Sequence, residues 1–383
     1  MKKTLVALAA LAATSAFAQS TVTLSGNMDF AGASISGTQT LAKGQTVSTG
    51  VGTSSTSVIN LIAEETVTGG FKITAKYGLD PRGLSNDSLA VTNGGFTTAS
   101  AVVANTTTGL ARDEAFIGIS GGFGNLRLGA PNSIGLNSFQ VASPLGTGVG
   151  SGYTGGGTAA TMTNSFVQTR YSRSVRYDSP SFNGITVSAL YAPGNDAAGY
   201  LSSTGTNGTA LLIPNARTAT EFGLRYAAGP LTVSYAYVEQ AAGTLTAGWY
   251  GTSSYAALTT TAFVKTATNM LNASYVMGNT TVSAGWNDGE TLASTTAAVP
   301  TSGYRAGVKH TMGAIDLMAS YTQQKSTTSD VKATVTGLRA DYNFSKTAAV
   351  YVGYENWDTG ATYANSLTTG TRKIASMGLR KSF

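Results

Sequence analysis

The feature that most constrains this chain is a period-two alternation of apolar and polar residues that recurs in segment after segment. Ile185, Val187, Ala189 and Tyr191 alternate with Thr186 and Ser188, and Leu231, Val233, Tyr235 and Tyr237 alternate with Thr232 and Ser234. Val282, Ala284 and Trp286 alternate with Ser283 and Gly285, and Ile315, Leu317, Ala319 and Tyr321 repeat the pattern with Asp316, Ser320 and Thr322. Successive side chains of a strand point to opposite faces, so these segments read as β-strands with one apolar and one polar face. Beyond residue 18 no stretch approaches the roughly 18 consecutive apolar residues that a membrane helix needs.

The segments come in pairs joined by short turns. Val58–Val67 and Phe71–Leu79 flank Thr68-Gly69-Gly70, and Arg112–Ser120 and Asn125–Gly129 flank Gly121-Gly122-Phe123-Gly124. Gln168–Asp178 pairs with Ile185–Tyr191, Glu221–Tyr226 with Leu231–Glu239, and Asn269–Val276 with Thr280–Asn287. Arg305–His310 with Ile315–Gln323, and Thr334–Phe344 with Ala348–Trp357, follow. Between pairs lie long stretches rich in Gly, Ser, Thr and Ala: 34–56, 80–110, 130–165, 192–216, 240–264, 288–302, 324–332 and 358–371. With Thr21–Ala33 at the start and Arg372–Phe383 at the end, the count of strands reaches sixteen. Short turns on one side and long loops on the other describe a membrane-spanning barrel, not a soluble sandwich.

Composition agrees. Charged residues make up only 11%, there are 47 glycines, tyrosines outnumber phenylalanines 18 to 13, and cysteine is absent. Lipid cannot satisfy a backbone N–H, so a sheet crosses a bilayer only when it closes on itself and leaves no edge. The expected fold is therefore all-β: a transmembrane antiparallel β-barrel of sixteen strands with short periplasmic turns and long external loops. Tyr77, Tyr177, Tyr191, Tyr226, Tyr275 and Tyr342 fall at strand ends, as the aromatic girdles of such barrels require. About sixteen strands enclose more space than side chains fill, so an aqueous channel remains.

Residues 1–18 are set apart from the barrel. Lys2 and Lys3 precede the apolar and small-residue run Thr4 to Ala16, and Ala16-Phe17-Ala18 offers a small-x-small cleavage pattern. This reads as a secretory signal peptide cut between Ala18 and Gln19, leaving 19–383 as the barrel. The 24 basic residues exceed the 18 acidic ones by six, and by four without Lys2 and Lys3. An excess so small and unclustered gives no reason to expect nucleic acid.

At this point the chain resembles the general trimeric porins of Gram-negative bacteria, in their β-proteobacterial branch. The likeness is carried by Ser20–Asp29 (STVTLSGNMD), Arg112–Gly129 (RDEAFIGISGGFGNLRLG), Ser174–Gly184 (SVRYDSPSFNG) and Met377–Phe383 (MGLRKSF). It implies an outer-membrane homotrimer, in contact with lipid and lipopolysaccharide, in which the third long loop (130–165) folds inward to narrow each channel. It also implies that Phe383, with Leu379 and Met377 at alternate positions, forms the signal read by the barrel-assembly machinery. Lys381 departs from the apolar residue expected there, and a place near the membrane interface would let it snorkel.

Alternation assigns the basic residues to faces. Lys72 and Lys76 lie opposite the lipid set Phe71, Ile73 and Ala75; Arg112 precedes Ala115, Ile117 and Ile119; Arg127 sits between Leu126 and Leu128. Arg170 and Arg176 share a face, and with Lys72, Lys76, Arg112 and Arg127 they form the expected pore-lining basic ladder. Arg225, Arg305, Lys309, Arg339 and Arg380 are assigned inward in the same way, because a lipid-facing charge near the midplane costs about 2–4 kcal/mol. Arg173 has outward parity and is the exception. From Ala115 to Tyr177 there is no Asp or Glu, so the candidate constriction carries no carboxylate of its own. Two readings stay open: an eyelet with an uncompensated positive field that favours small anions, or wall cations paired with acids such as Glu64, Glu114, Asp316, Asp341 and Glu355.

Nothing in the sequence points to an enzyme. His310 is the one histidine and falls at a strand end beside Met312–Ala314, and there is no Cys or His pair to ligate a metal. Gly121-Gly122-Phe123-Gly124 and Gly155-Gly156-Gly157 lead into no helical pattern, so they read as turn or loop rather than phosphate loops. No cofactor is expected. The function expected is passive diffusion of small hydrophilic solutes; the alternatives are a substrate-specific porin for an organic acid or phosphate, and, more remotely, a secreted β-rich adhesin, for which no fixed repeat is seen.

Overall fold

A computed structural model describes residues 20–37, 50–52, 57–79, 111–146, 148–151, 169–194, 217–247, 259–294, 297–328, 332–359 and 370–383. Residues 1–18, expected to be a signal peptide, and 147 and 152–165 of the third loop lie outside the described residues.

Sixteen long strands form one closed antiparallel barrel. In chain order they are β1 (Thr21–Gly37), β2 (Val58–Val67), β3 (Phe71–Leu79), β4 (Ala111–Gly121), β5 (Gly124–Ala130), β6 (Ser174–Asp178), β7 (Ile185–Ala192) and β8 (Ala219–Ala228). The second half is β9 (Leu231–Gln240), β10 (Thr266–Met277), β11 (Thr280–Ser294), β12 (Ala297–Met312), β13 (Ile315–Ser326), β14 (Lys332–Ser345), β15 (Ala348–Thr359) and β16 (Gly370–Ser382). Each pairs with its neighbour in sequence, and β16 returns to β1 in a continuous register from Asn27↔Ser382 to Gly37↔Arg372. Backbone bonds in both directions between Gly26 and Phe383 extend that seam to the last residue. The sheet therefore has no free edge, as a bilayer demands.

Hairpins at one end are tight. Gly229, Gly278 and Gly313 open two-residue turns with φ of 55°, 56° and 59°, a left-handed backbone that costs glycine little. At the other end the connections are longer and carry additions that alternation does not signal. Gly50–Gly52 adds a short strand against β1, and Gly243–Ala247 pairs with Thr259–Phe263 in a hairpin inside the expected loop 240–264. The expected loop 288–302 is mostly strand, since β11 and β12 run on to Ser294 and from Ala297. Threonines in most of these segments suit paired strand.

The expected strand 168–178 begins only at Ser174. Arg173 has φ 56°, a turn conformation that breaks the alternation, so its outward parity was a register artefact. Arg170 consequently lies outside the strand, in an isolated bridge with Asn132.

The two faces separate as chemistry dictates. Outward parity carries Leu24, Leu61, Ile117, Leu128, Val187, Leu224, Leu271, Trp286, Leu338, Val352 and Met377, all exposed. The six tyrosines at strand ends share that outer surface. Inward parity carries Arg176, Glu221, Arg305, Arg339, Asp341 and Glu355, all buried. Arg176, Glu221, Arg305 and Glu355 are covered by the segment after β5, which enters the lumen. It forms helix α1 (Ile134–Val141), which packs Ile134, Leu136 and Phe139 with Leu190, Ala236, Val238 and Met270 of the wall. Ser133 caps it, its Oγ accepting from Leu136 N at 2.9 Å.

Candidate functional site

The wall beside the start of α1 is built from β3 to β6. Arg127 on β5 and Arg176 on β6 are direct cross-strand partners, which places two like charges face to face. Asp178, two residues beyond Arg176, resolves the conflict: it pairs with Arg127 and lies 2.9 Å from Arg176 Nη2. Gly118 sits opposite Arg127, and its missing side chain leaves room for the arginine stem, 3.1 Å from where a Cβ would be.

Glu114 on β4 gathers a second set. Its carboxylate is 2.6 Å from Lys76 Nζ and 3.9 Å from Arg127, and accepts from Asn132 N at 2.8 Å. Strict alternation would send Asp113 to the other face. The register of β3 and β4 instead shifts between Tyr77 and Leu79, and the Cβ of Asp113 lies 2.7 Å from the Cβ position of Gly78. That bulge lets Asp113 pair with Arg170 at 2.7 Å, and Arg170 also donates to Asn132 at 3.1 Å. Arg176 reaches the inward segment itself, donating to Asn132 O and Asn137 Oδ1 at 2.5 Å each.

Lys76, Arg127, Arg170 and Arg176 thus converge beside the start of α1, and Lys72 stands apart on β3 with Glu64 at 3.3 Å. Arg112 lies on β4, but its side chain is outside the described residues. The expectation of a fully uncompensated positive eyelet is corrected: four cations meet Asp113, Glu114 and Asp178, because wall acids outside the acid-free stretch reach across strands. One positive charge is left in the group. The same pairing continues elsewhere on the wall, with Lys309–Asp316 at 3.0 Å and Asp341 shared by Arg339 and Arg380.

Two further carboxylates do different work. Glu221 on β8 is fully buried and accepts from Ile134 N at 2.5 Å and Gly135 N at 3.1 Å, the first free amides of α1. Glu355 on β15 accepts from Gly150 N. The inward segment brings no carboxylate, so the wall supplies those that hold it. Glu221 escaped the sequence reading, although its parity with Gly223 and Arg225 marked it as inward-facing. Arg217, just before β8, is buried and ties that region together, donating to Val264 O, Gln240 and Thr266.

The last strand shows the outward row Ala375, Met377, Leu379, Lys381 and Phe383, with Met377, Leu379 and Phe383 exposed. Lys381 Nζ lies 2.7 Å from Thr347 Oγ1 in the tight turn between β14 and β15, so its charge reaches the barrel rim. His310 also faces outward near a rim, its Nδ1 2.8 Å from Thr280 Oγ1.

Comparison with known proteins accords with this architecture. A family model described as Gram-negative porin matches residues 4–362. The major outer membrane protein P.IB of Neisseria meningitidis serogroup B is 34% identical over 202 residues, 53% of this chain and 53% of that protein. Its namesake in Neisseria gonorrhoeae is 39% identical over 95 residues, covering 24% of this chain and 25% of the relative. The matched stretches thus span between a quarter and about half of these relatives' lengths. Among solved structures, an anion-selective porin from Comamonas acidovorans superposes with a TM-score of 0.67 at 19% identity, covering 95% of this chain and all of that one. Outer-membrane-expressed OmpT of Vibrio cholerae gives 0.63 at 14% identity, covering 95% and 98%. At such identities the likeness is one of fold.

Proposed function

Because this chain belongs to the Gram-negative porin family of the outer membrane, we propose that it is a water-filled channel for passive diffusion of small hydrophilic solutes and ions, with a preference for anions. One observation supports this most: a closed barrel with an apolar outer wall and a charged inner wall, narrowed from within by α1. Solutes cross such a pore down their own gradients, so no energy source or cofactor enters.

The anion preference rests on sign. The segment that narrows the lumen has no acid between Ala115 and Tyr177, and Lys76, Arg127, Arg170 and Arg176 converge beside its start, paired with Asp113, Glu114 and Asp178. A focused field of one sign raises the local concentration of the opposite ion. Lys72, Lys76, Arg112, Arg127, Arg170 and Arg176 serve as the pore-lining basic ladder, with net effect set by the pairing above. The related Comamonas structure is named an anion-selective porin.

The working unit is a homotrimer; a trimer form is recorded for the Vibrio cholerae OmpT that shares this fold. The outer wall meets lipid and lipopolysaccharide, and Phe383, Leu379 and Met377 form the signal for the barrel-assembly machinery. The deciding measurement is the zero-current potential of the channel in a planar bilayer under a potassium chloride gradient. The expected sign favours chloride; a potassium preference overturns the anion reading and leaves the barrel intact.

A further inference from the structure

Arg305 stands apart from every other buried arginine of the wall. It lies on β12 between Gly285 of β11 and Thr322 of β13, is 3% exposed, and faces inward behind α1. Among the described residues, Arg127, Arg170, Arg176 and Arg339 each pair with a carboxylate, and Arg217 is held by three neutral acceptors. Arg305 has one long bond, Nη2 to Asn287 Oδ1 at 3.4 Å, and that oxygen already accepts from Gln324 at 2.6 Å. Among the described residues its Nε and Nη1 have no hydrogen-bond partner. The acid-free segment in front of it has no carboxylate to offer.

What stabilises this cation is the inward helix. The guanidinium carbon lies 4.2 Å from the ring centroid of Phe139, a cation–π distance. It also lies beside the C-terminal turn of α1, where the helix dipole is negative. Gly285 makes the fit possible, since a Cβ there would stand 3.0 Å from Arg305 Cγ and 3.1 Å from Ala142 Cβ. Glu221 at the first turn and Arg305 at the last thus bracket α1 with charges of the signs its ends prefer. The difference is that Glu221 is spent on two amides, while the charge of Arg305 is returned by no carboxylate.

We propose that Arg305 is a selectivity-determining residue, tilting the channel toward anions from behind the constriction helix without touching the permeating ion. The proposal rests on the anion-preferring reading above. The Arg305 charge sits in a low-dielectric wall, where its field is weakened less than it would be in water. Its field reaches the lumen through α1, whose lumen side carries neutral Asn137 and Gln140.

The test is the chloride-to-potassium permeability ratio in planar bilayers for the wild type, Arg305→Met and Arg305→Lys, with Arg305→Gln in place of Met if the Met variant fails to assemble. Arg305→Met should lower the ratio about twofold or more, since the wall loses its unreturned charge. Arg305→Lys should keep the wild-type ratio while single-channel conductance changes, because the planar stack on Phe139 is lost. A chloride-preferring wild type that Arg305→Met leaves unchanged, or that Met and Lys lower equally, overturns this role alone. A wild type with no chloride preference overturns the functional reading and this proposal with it.

Discussion

Replacing Glu221 with Ala should loosen the inward segment at its first turn without opening the barrel. The Glu221 carboxylate takes the amides of Ile134 at 2.5 Å and Gly135 at 3.1 Å. Hydrogen bonds to a charged group contribute about 1.5–3 kcal/mol each, and an unpartnered buried amide costs about 1–3 kcal/mol. Offsetting this, removing a buried carboxylate relieves its desolvation, which amounts to several kcal/mol before pairing. A net loss of about 2 kcal/mol at this anchor raises the population of a displaced first turn about 30-fold. The other attachments remain: Arg176 to Asn132 and Asn137, Asn272 to Ser138 at 2.9 Å, and Glu355 to Gly150. The segment should therefore fluctuate rather than leave. Single-channel recording should show excess open-channel noise and closure at lower voltage in Glu221→Ala, with Glu221→Gln intermediate because its amide oxygen still accepts. Wild-type noise and threshold in a properly assembled Glu221→Ala channel would refute the idea that wall carboxylates hold the constriction.

Three other outcomes are expected. Asp178→Asn removes the carboxylate shared by Arg127 and Arg176, so the reversal potential should move further toward chloride; movement toward potassium would show those arginines do not act on the lumen. Gly337→Ala should shift the inward segment and change conductance, since a Cβ at 337 would stand 2.2 Å from Gly150 O, and an unchanged conductance would mean the segment is not seated there. Deleting Phe383 removes the terminal pair with Gly26 at the closing seam as well as the exposed aromatic, and should abolish the heat-modifiable band of extracted barrels; Phe383→Tyr should keep it.

Alternation by itself determined most of this protein. Sixteen strands, their tight hairpins, the outward set from Leu24 to Leu379 and the inward parity of Arg176, Arg305 and Arg339 follow from the two-residue period, because each depends only on neighbours along the chain. The acid-free stretch from Ala115 to Tyr177 was equally plain in the sequence. What it meant was not. Asp113 reaches Arg170 only through a bulge, and Asp178 separates Arg127 from Arg176 only once β5 and β6 are in register. Arg173 broke the parity rule because one positive φ resets the strand.

Helix α1 left little trace, since its apolar residues gain their burial from Leu190, Ala236, Val238 and Met270, far away in sequence. Glu221, Glu355 and Arg305 likewise take their roles from a segment that lies against them only in three dimensions. A barrel is a sum of local strand choices closed by one seam, so sequence suffices to determine it. The balance of charge inside the lumen depends on which side chains from separate strands converge, and tertiary structure alone decides that.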